Sequence, residues 1–258
     1  MMPKNLLIKS ILLNLLVFFV ASNTSSEVRK ELIVGVQDFT EYLPYSTYSN
    51  DLGYQGFNRE VFNLFERYYP YKFKYRAYPV KRLYNAFLKG LVDLKYPDNP
   101  YWSASNKKGF NIIYSLPLVS FIDGVFVHPD RASRGLRSMK VLGTIRGFTP
   151  YPYKSLINSG AIQLKEANGY QGLFLMVLKQ RIDGAYFNVD VGMHYMKEYL
   201  DDPYALIFNK KLPYKEVGRH LSTIKFSGVL KDFDEFIKNH QDEISSLKNK
   251  FFVQSIIK

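Results

Sequence analysis

The chain has 258 residues, 47% of them hydrophobic, which is enough for a packed core and excludes a wholly disordered chain. It contains no cysteine, so disulfides, a lipid-modified cysteine and a cysteine nucleophile are excluded. The formal net charge is +12, but the basic residues are scattered, and even a cluster such as 131–137 holds only three. This scatter argues against a nucleic-acid surface and leaves open an affinity for an anionic solute or surface.

The N-terminus has the pattern of an export signal. Lys4 and Lys9 precede an apolar run over 11–21, and the small polar segment 22–26 follows it. The run is shorter than the ~20 residues that span a membrane. We therefore predict a signal peptide over 1–26, a periplasmic location and no stable membrane insertion of the mature chain, with an uncleaved anchor as the alternative. Export also argues against nucleic acid as a partner.

The first hundred residues predict a β-α-β-α-β unit. Strands are expected over 32–36, 72–76 and 91–94, because each is a short apolar or alternating run. Helices are expected over 58–69, stopped by a proline, and around 83–90, where Gly90 suits a helix C-terminus. This alternation favours a parallel sheet with right-handed crossovers.

Two of these strands end in aromatic and polar residues. Ligands bind at the carboxyl ends of strands in open α/β sheets, so we expect the segments that follow the first and third strands to line one cleft. The alternatives are a turn carboxylate and a packed tyrosine after the first strand, and a turn bracketed by prolines after the third. The candidate ligand-binding residues from these two segments are Asp38, Tyr45, Tyr96, Asp98, Asn99 and Trp102.

The second half of the chain restarts the alternation. Strands are expected over 112–115, 121–127, 141–144, 184–187, 204–208 and 221–226, and helices over 173–180 and in the tail. Thr149 is predicted to cap a helix that starts at Pro150. A helix N-terminus favours anions. The segments that follow the strands over 141–144 and 184–187 therefore supply further candidate ligand-binding residues. They are Arg146, Phe148, Thr149, Asn188 and Asp190. We read Asp93 and Asp183 as structural.

In order and spacing, several short motifs together resemble the family 3 extracellular solute-binding proteins, the amino-acid-binding type of ABC importers. The motifs are Leu-Ile-Val-Gly-Val (32–36), Gly-Phe-Asn (56–58), Leu-Lys-Gly-Leu-Val-Asp (88–93), Tyr-Ser-Leu-Pro-Leu (114–118), Leu-Gly-Thr (142–144) and Arg-Ile-Asp-Gly-Ala-Tyr (181–186). The resemblance implies an α/β, two-lobe periplasmic-binding-protein type II fold, with two mostly parallel sheets joined by two crossover strands. It also implies lobe 1 over 27–125 with 222–258, lobe 2 over 126–221, and a ligand held between them.

The chain departs from that family at two ligand positions. The family carries Thr-x-x-Arg after the third strand, where the arginine binds the ligand carboxylate, whereas segment 103–108 here has no arginine. Lysine does not replace it, because only the planar guanidinium pairs a carboxylate in bidentate fashion. By spacing, Asn188 stands where the family has an aspartate for the ligand ammonium, with Asp190 two residues on. An ordinary α-amino acid is therefore not the expected ligand.

The sequence lacks the patterns of common catalytic sites. The four histidines are far apart, and no P-loop, dinucleotide or Gly-x-Ser-x-Gly motif is present. We therefore expect no catalytic residues, no cofactor and no metal. The expected function is monomeric periplasmic capture of a small polar or acidic solute, with an ABC permease as partner. The alternative is an exported sensor or interaction module of the same fold without a transporter.

Overall fold

The computed structural model describes residues 29–40, 42–200, 202 and 204–253. The expected signal peptide, 1–26, lies outside the described residues. Within the described part of the chain, no helix is long and apolar enough to cross a membrane.

Strands and helices alternate along most of the chain. The strands are β1 (Lys30–Gln37), β2 (Thr47–Ser49), β3 (Gly53–Gln55), β4 (Tyr71–Tyr78), β5 (Leu94–Asp98), β6 (Ile113–Tyr114), β7 (Val119–Val127), β8 (Val141–Ile145), β9 (Gln163–Ala167), β10 (Gly184–Asn188), β11 (Ile207–Phe208) and β12 (Lys215–Thr223). The helices are α1 (Phe57–Tyr68), α2 (Val80–Leu88), α3 (Ala104–Lys107), α4 (Lys154–Asn158), α5 (Tyr170–Leu178), α6 (Val189–Tyr199), α7 (Ser227–Asn239) and α8 (Gln241–Lys250).

Two parallel strand sets are joined through two antiparallel strands. The order is β4-β1-β5-β12-β7-β10-β8-β9, with β6 beside β12 and β11 beside β7. Strands β4, β1 and β5 pair in parallel, as do β10, β8 and β9, while β12 and β7 are antiparallel to each other. We call the first set with α1, α2, α7 and α8 the first lobe, and the second set with α4, α5 and α6 the second lobe. The predicted fold class is confirmed. The crossover strands β7 and β12 pair with each other and connect the two parallel sets into one continuous order of strands.

Both lobes use the same connection from a helix to the next strand. After α2, Gly90 has φ +72°, and Asp93 Oδ2 accepts a hydrogen bond at 2.8 Å from a backbone N–H of β1. After α5, Gln180 has φ +49°, and Asp183 Oδ2 accepts one at 2.8 Å from the first residue of β8. Each aspartate therefore pins its connection to the neighbouring strand, so the structural reading of both is correct.

The third strand of the first lobe begins later in the sequence than the prediction placed it. It was expected over 91–94, but β5 spans Leu94–Asp98 and is buried along its whole length. Its polar residues are compatible with burial because they pair with one another: Asp98 Oδ1 lies 3.2 Å from Lys95 Nζ and 2.6 Å from Lys107 Nζ. Buried charges persist where they are paired and hydrogen-bonded, and the sequence pattern does not reveal that pairing.

Two further boundaries differ from the prediction. Thr149 does not cap a helix at Pro150; a short 3₁₀ helix begins one residue later, and the Thr149 hydroxyl accepts a hydrogen bond from the N–H of Ser103 at 3.3 Å. The strand expected over 221–226 is β12, which begins earlier and ends at Thr223. It ends there because the Thr223 hydroxyl accepts hydrogen bonds from the backbone of the turn that leads into α7.

Candidate functional site

A small cavity lies between the two lobes, where the crossover strands pass from one to the other. Its volume is about 30 Å³, which is room for one or two water molecules. Its walls come from both lobes and from both crossover strands. The lining residues are Gln37, Tyr42, Val80, Tyr84, Pro97, Trp102, Phe121, Asp123, Gly147, Phe148, Thr149, Tyr186 and Arg219.

Arg219, on crossover strand β12, is the buried cation of this cleft. Its side chain is almost fully buried, and its guanidinium lies 3.9 Å from the ring centre of Tyr45 and 4.3 Å from that of Phe121. One terminal nitrogen donates a hydrogen bond to the Tyr42 hydroxyl at 3.2 Å. Nε has no hydrogen-bond partner among the described residues. Aromatic faces offset part of the desolvation cost of the charge, and Nε remains a buried donor that an acidic group could use.

Two carboxylates accompany the guanidinium. Asp123, on crossover strand β7, is buried, and burial raises its pKa to about 7 although Arg219 acts in the opposite direction. Asp190, at the start of α6, also has a raised pKa because of burial. Its Oδ2 accepts a hydrogen bond at 2.5 Å from the hydroxyl of Tyr45, a first-lobe residue. The cleft therefore presents a fixed positive group together with a carboxyl group that titrates near neutrality.

Aromatic side chains from both lobes fill the space beside Arg219. The rings of Phe39 and Phe148 have their centres 5.9 Å apart, and those of Tyr42 and Phe187 lie 5.8 Å apart, both pairs in edge-to-face geometry. Such pairs contribute about 0.5–1.5 kcal/mol beyond the apolar area that they bury. These contacts hold the lobes closed on each other.

Polar contacts join the lobes at the rim of the cleft. Lys81 Nζ, on α2, lies 3.1 Å from a carboxylate oxygen of Glu166, on β9, and the same carboxylate accepts a hydrogen bond from the N–H of Gly147 at 3.0 Å. Gly147 has φ +92°, and a Cβ there would lie 3.0 Å from Val80 of the first lobe. A solute larger than a pair of water molecules therefore reaches Arg219 only when the lobes stand further apart.

Three of the candidate residues from the sequence line the cleft, and a fourth packs against Arg219. Trp102, Phe148 and Thr149 line it. Trp102 is partly buried and packs against Phe121, with 6.1 Å between ring centres. Tyr45 is fully buried behind Arg219 and makes the hydrogen bond to Asp190.

Three other candidates lie in the interior of the first lobe. Tyr96 is fully buried, and its ring centre is 5.1 Å from that of Phe62 in the core. Asp98 is also fully buried; besides the two lysines, Ser222 donates a hydrogen bond to its Oδ2 at 2.7 Å. The amide of Asn99 donates to the backbone carbonyl of Gly218, on β12, at 2.9 Å. Asp98 and Asn99 therefore hold β5 against the crossover strand β12, while Tyr96 packs on α1.

The remaining candidates do not line the cleft, although Asn188 is the strand partner of Asp123 and Asp190 bonds to Tyr45. Asp38 and Arg146 are exposed at the ends of β1 and β8. Asn188 is buried and caps α6, accepting a hydrogen bond from the N–H of Val191 at 2.9 Å. Asp190 bonds to Tyr45 behind the cleft but is not among the residues that line it; it lines a separate groove beside α6.

Lys107 also turns away from the cleft. It lies in the segment where the resembling family has its arginine, but its ammonium group donates to Asp98 Oδ1 at 2.6 Å and to the backbone carbonyl of Asn99 at 2.8 Å. The chain supplies its cleft cation from β12 instead.

Sequence reasoning missed Arg219 and Asp123, the two ionisable residues of the crossover strands that line the cleft. Arg219 alternates in phase with the buried Val217 and Leu221, and Asp123 with the buried Phe121 and Val125. A charged residue in phase with buried residues of a strand was the available signal. Among the described residues, no group of three or more His, Cys, Asp or Glu side chains is placed to hold a metal ion.

No protein-family model matches the chain, and no curated protein matches it by sequence. Solved structures do match. The substrate-binding protein of an amino acid ABC transporter is 20% identical, with a TM-score of 0.67 over 87% of this chain and 100% of that one. A histidine kinase sensor domain with similarity to periplasmic binding proteins is 16% identical, with a TM-score of 0.70 over 88% and 98%. An ancestral amino acid-binding protein, a precursor of cyclohexadienyl dehydratase, is 16% identical, with a TM-score of 0.64 over 86% and 95%.

At these identities the likeness defines the fold. The chain has the two-lobe architecture of periplasmic binding proteins, in agreement with the resemblance in its sequence motifs. Most of the similar solved structures are small-molecule-binding proteins, and sensor domains of the same fold are among them.

Proposed function

We propose that the chain is an exported, monomeric solute-binding protein of the periplasm, and that it captures a small solute with an acidic group between its lobes without turnover. One observation carries this proposal: Arg219 is almost fully buried at the cleft, and its Nε has no partner among the described residues. An unpaired buried donor is costly, typically about 1–3 kcal/mol. A carboxylate or similar acceptor removes that cost and adds a charge-assisted hydrogen bond.

Release to an ABC permease is the downstream step that we infer, because a transporter's substrate-binding protein shares this architecture over nearly the whole chain. We also retain the predicted division into lobe 1 (27–125 with 222–258), lobe 2 (126–221) and a cleaved segment (1–26) as part of the proposal. That division places the crossover strands at the hinge, so Arg219 and Asp123 lie at the base of the cleft and the two lobes close over the solute above them.

A sensor or interaction module is the second candidate. It is favoured by the small cavity, because the lobes already meet through the rings of Phe39, Tyr42, Phe148 and Phe187. A histidine kinase sensor domain has the same fold. In this case closure itself, rather than delivery of a solute, would be the output.

Native mass spectrometry of freshly purified protein tests the proposal. We expect a co-purified solute with an acidic group, and removing it should lower the melting temperature. A ligand present at ~100 times its dissociation constant adds ~2.7 kcal/mol to the free energy of unfolding. A protein that carries no solute and responds to no acidic compound favours the module, and chemical conversion of a bound solute would show that the cleft is an active site.

A further inference from the structure

A second, larger groove lies on the side of the second lobe, along α6. Its volume is about 800 Å³, within the range of sites that enclose a drug-sized molecule. One wall is a face of α6, another is β11 with its flanking residues, and Pro44 and Phe252 of the first lobe complete the groove. The lining residues are Pro44, Val189, Asp190, Met193, His194, Lys197, Glu198, Tyr204, Leu206, Ile207, Phe208, Lys210 and Phe252.

The groove is apolar and flanked by exposed rings. Phe252 is 83% exposed and Tyr204 is 76% exposed, which makes them the two most exposed large hydrophobic side chains among the described residues. Met193, on α6, is 41% exposed on the same groove. Exposed apolar side chains gathered on one concave surface indicate a binding site, whereas single ones do not.

The charged groups of the groove differ in depth. Lys197, Glu198 and Lys210 are exposed at the rim, and Lys197 Nζ lies 3.5 Å from the carboxylate of Glu198. Asp190 and His194, one helical turn apart on α6, are partly buried. Exposed charges interact weakly because water screens them, whereas a partly buried carboxylate acts on a ligand more strongly.

Asp190 has capacity left for a ligand. Its Oδ2 accepts the hydrogen bond from Tyr45, and its Oδ1 accepts none from the described residues. The cation that acts on it, Arg219, does so from the cleft side. We propose that this groove is a second ligand site, for a small organic cation with an apolar body, whose ammonium group pairs with Asp190 while its body lies against Met193, Phe208 and Tyr204.

Calorimetric titration with three compounds of similar size tests this proposal. The probes are phenethylammonium, its neutral analogue 2-phenylethanol and the anion 3-phenylpropionate. We expect phenethylammonium to bind at least about tenfold more tightly than the alcohol, as hydrogen bonds between charged groups allow. Equal binding of amine and alcohol, tighter binding of the anion, or no amine binding up to about 10 mM would each overturn the proposal.

Matched variants locate the binding. Asp190→Asn keeps the side-chain shape and should abolish the preference for the amine, while Glu198→Gln, at the exposed rim, should leave it unchanged. Met193→Arg places a bulky cation in the groove and should abolish amine binding, whereas Leu175→Arg, an exposed α5 position outside the groove, should not. Met193 is exposed, so this variant folds whether or not Asp190→Asn does. Amine binding that survives Met193→Arg would place the site elsewhere and refute the inference.

Discussion

Replacing Arg219 with methionine should separate binding from stability. Methionine fills a similar volume without a charge. The change removes the guanidinium contacts with the rings of Tyr45, Phe121 and Tyr42 and the hydrogen bond to the Tyr42 hydroxyl. If Arg219 is there for a solute, its removal should abolish binding of acidic compounds while the fold remains stable.

The opposing contributions to stability are similar in size. Three cation–π contacts at about 0.5–1 kcal/mol each and one hydrogen bond at about 1 kcal/mol are lost. Against this, the variant avoids the desolvation of a buried cation, several kcal/mol, and the unpaired Nε, about 1–3 kcal/mol. Asp123 is not left as a buried anion at about pH 6, because its pKa is already about 7 with Arg219 present. We expect the free energy of unfolding to change by less than about 2 kcal/mol, or to increase.

Urea unfolding at about pH 6 measures this change, with Arg181→Met as the control, since Arg181 is an exposed arginine of the second lobe. A loss above about 3 kcal/mol in Arg219→Met alone would refute the reasoning. A loss of that size is typical of breaking a buried ion pair, and it would make Arg219 a structural partner of Asp123 rather than a site for a solute.

Three other predictions concern the pH dependence of stability, the closed contact between the lobes and the strained backbone. Folding raises the pKa of Asp123 from 3.8 to about 7, so the folded protein binds this proton more tightly and the free energy of unfolding falls as pH rises between those values. Urea unfolding of Asp123→Asn should lack this fall, a difference of up to about 4 kcal/mol between the two proteins. Parallel pH profiles of the two proteins would contradict this prediction. Gly147 has φ +92°, and Gly147→Ala places a methyl group 3.0 Å from Val80 of the other lobe. Small-angle scattering should therefore show a larger radius of gyration, because the lobes separate. An unchanged radius of gyration would contradict the closed contact. Gln180→Gly should stabilise the fold by about 1 kcal/mol because φ is +49°, whereas Gly90→Ala, at φ +72°, should destabilise it. Shifts of the melting temperature in the same direction for both variants would show that backbone strain is not the cause.

The elements with strong local periodicity were predictable from the sequence. The helix α1 follows from the apolar residues of 57–68 at helical spacing, and β4 follows from the alternation in 71–78. The order of short motifs then indicated two lobes and two crossover strands, which local patterns alone do not specify.

Elements whose polar residues are neutralised by pairing in the folded structure were not predictable. The strand β5 carries Lys95 and Asp98, and its burial depends on pairing with each other and with Lys107. Helix α6, in contrast, was predictable but was missed: Asn188 as its N-cap, followed by apolar residues, was a usable signal.

The cleft itself was only partly predictable. Trp102, Phe148 and Thr149 follow strands at the carboxyl edge, so the rule for α/β sheets locates them. Arg219 and Asp123 come from crossover strands far apart in the chain, and only the packing of both lobes shows that they share a cleft. Arg146, expected to hold an acidic group, is exposed, and Arg219 takes that role in the proposal.

The most direct test of acidic-solute capture uses Trp102, the chain's single tryptophan, as a reporter within the cleft. A panel of small carboxylic acids, each paired with its primary amide, is titrated while tryptophan emission is recorded. At least one acid should shift the emission and bind about tenfold or more tightly than its amide, and Arg219→Met should abolish that preference while Arg181→Met retains it. Equal responses to acid and amide, or a preference that survives in Arg219→Met, would contradict capture of an acidic group by Arg219.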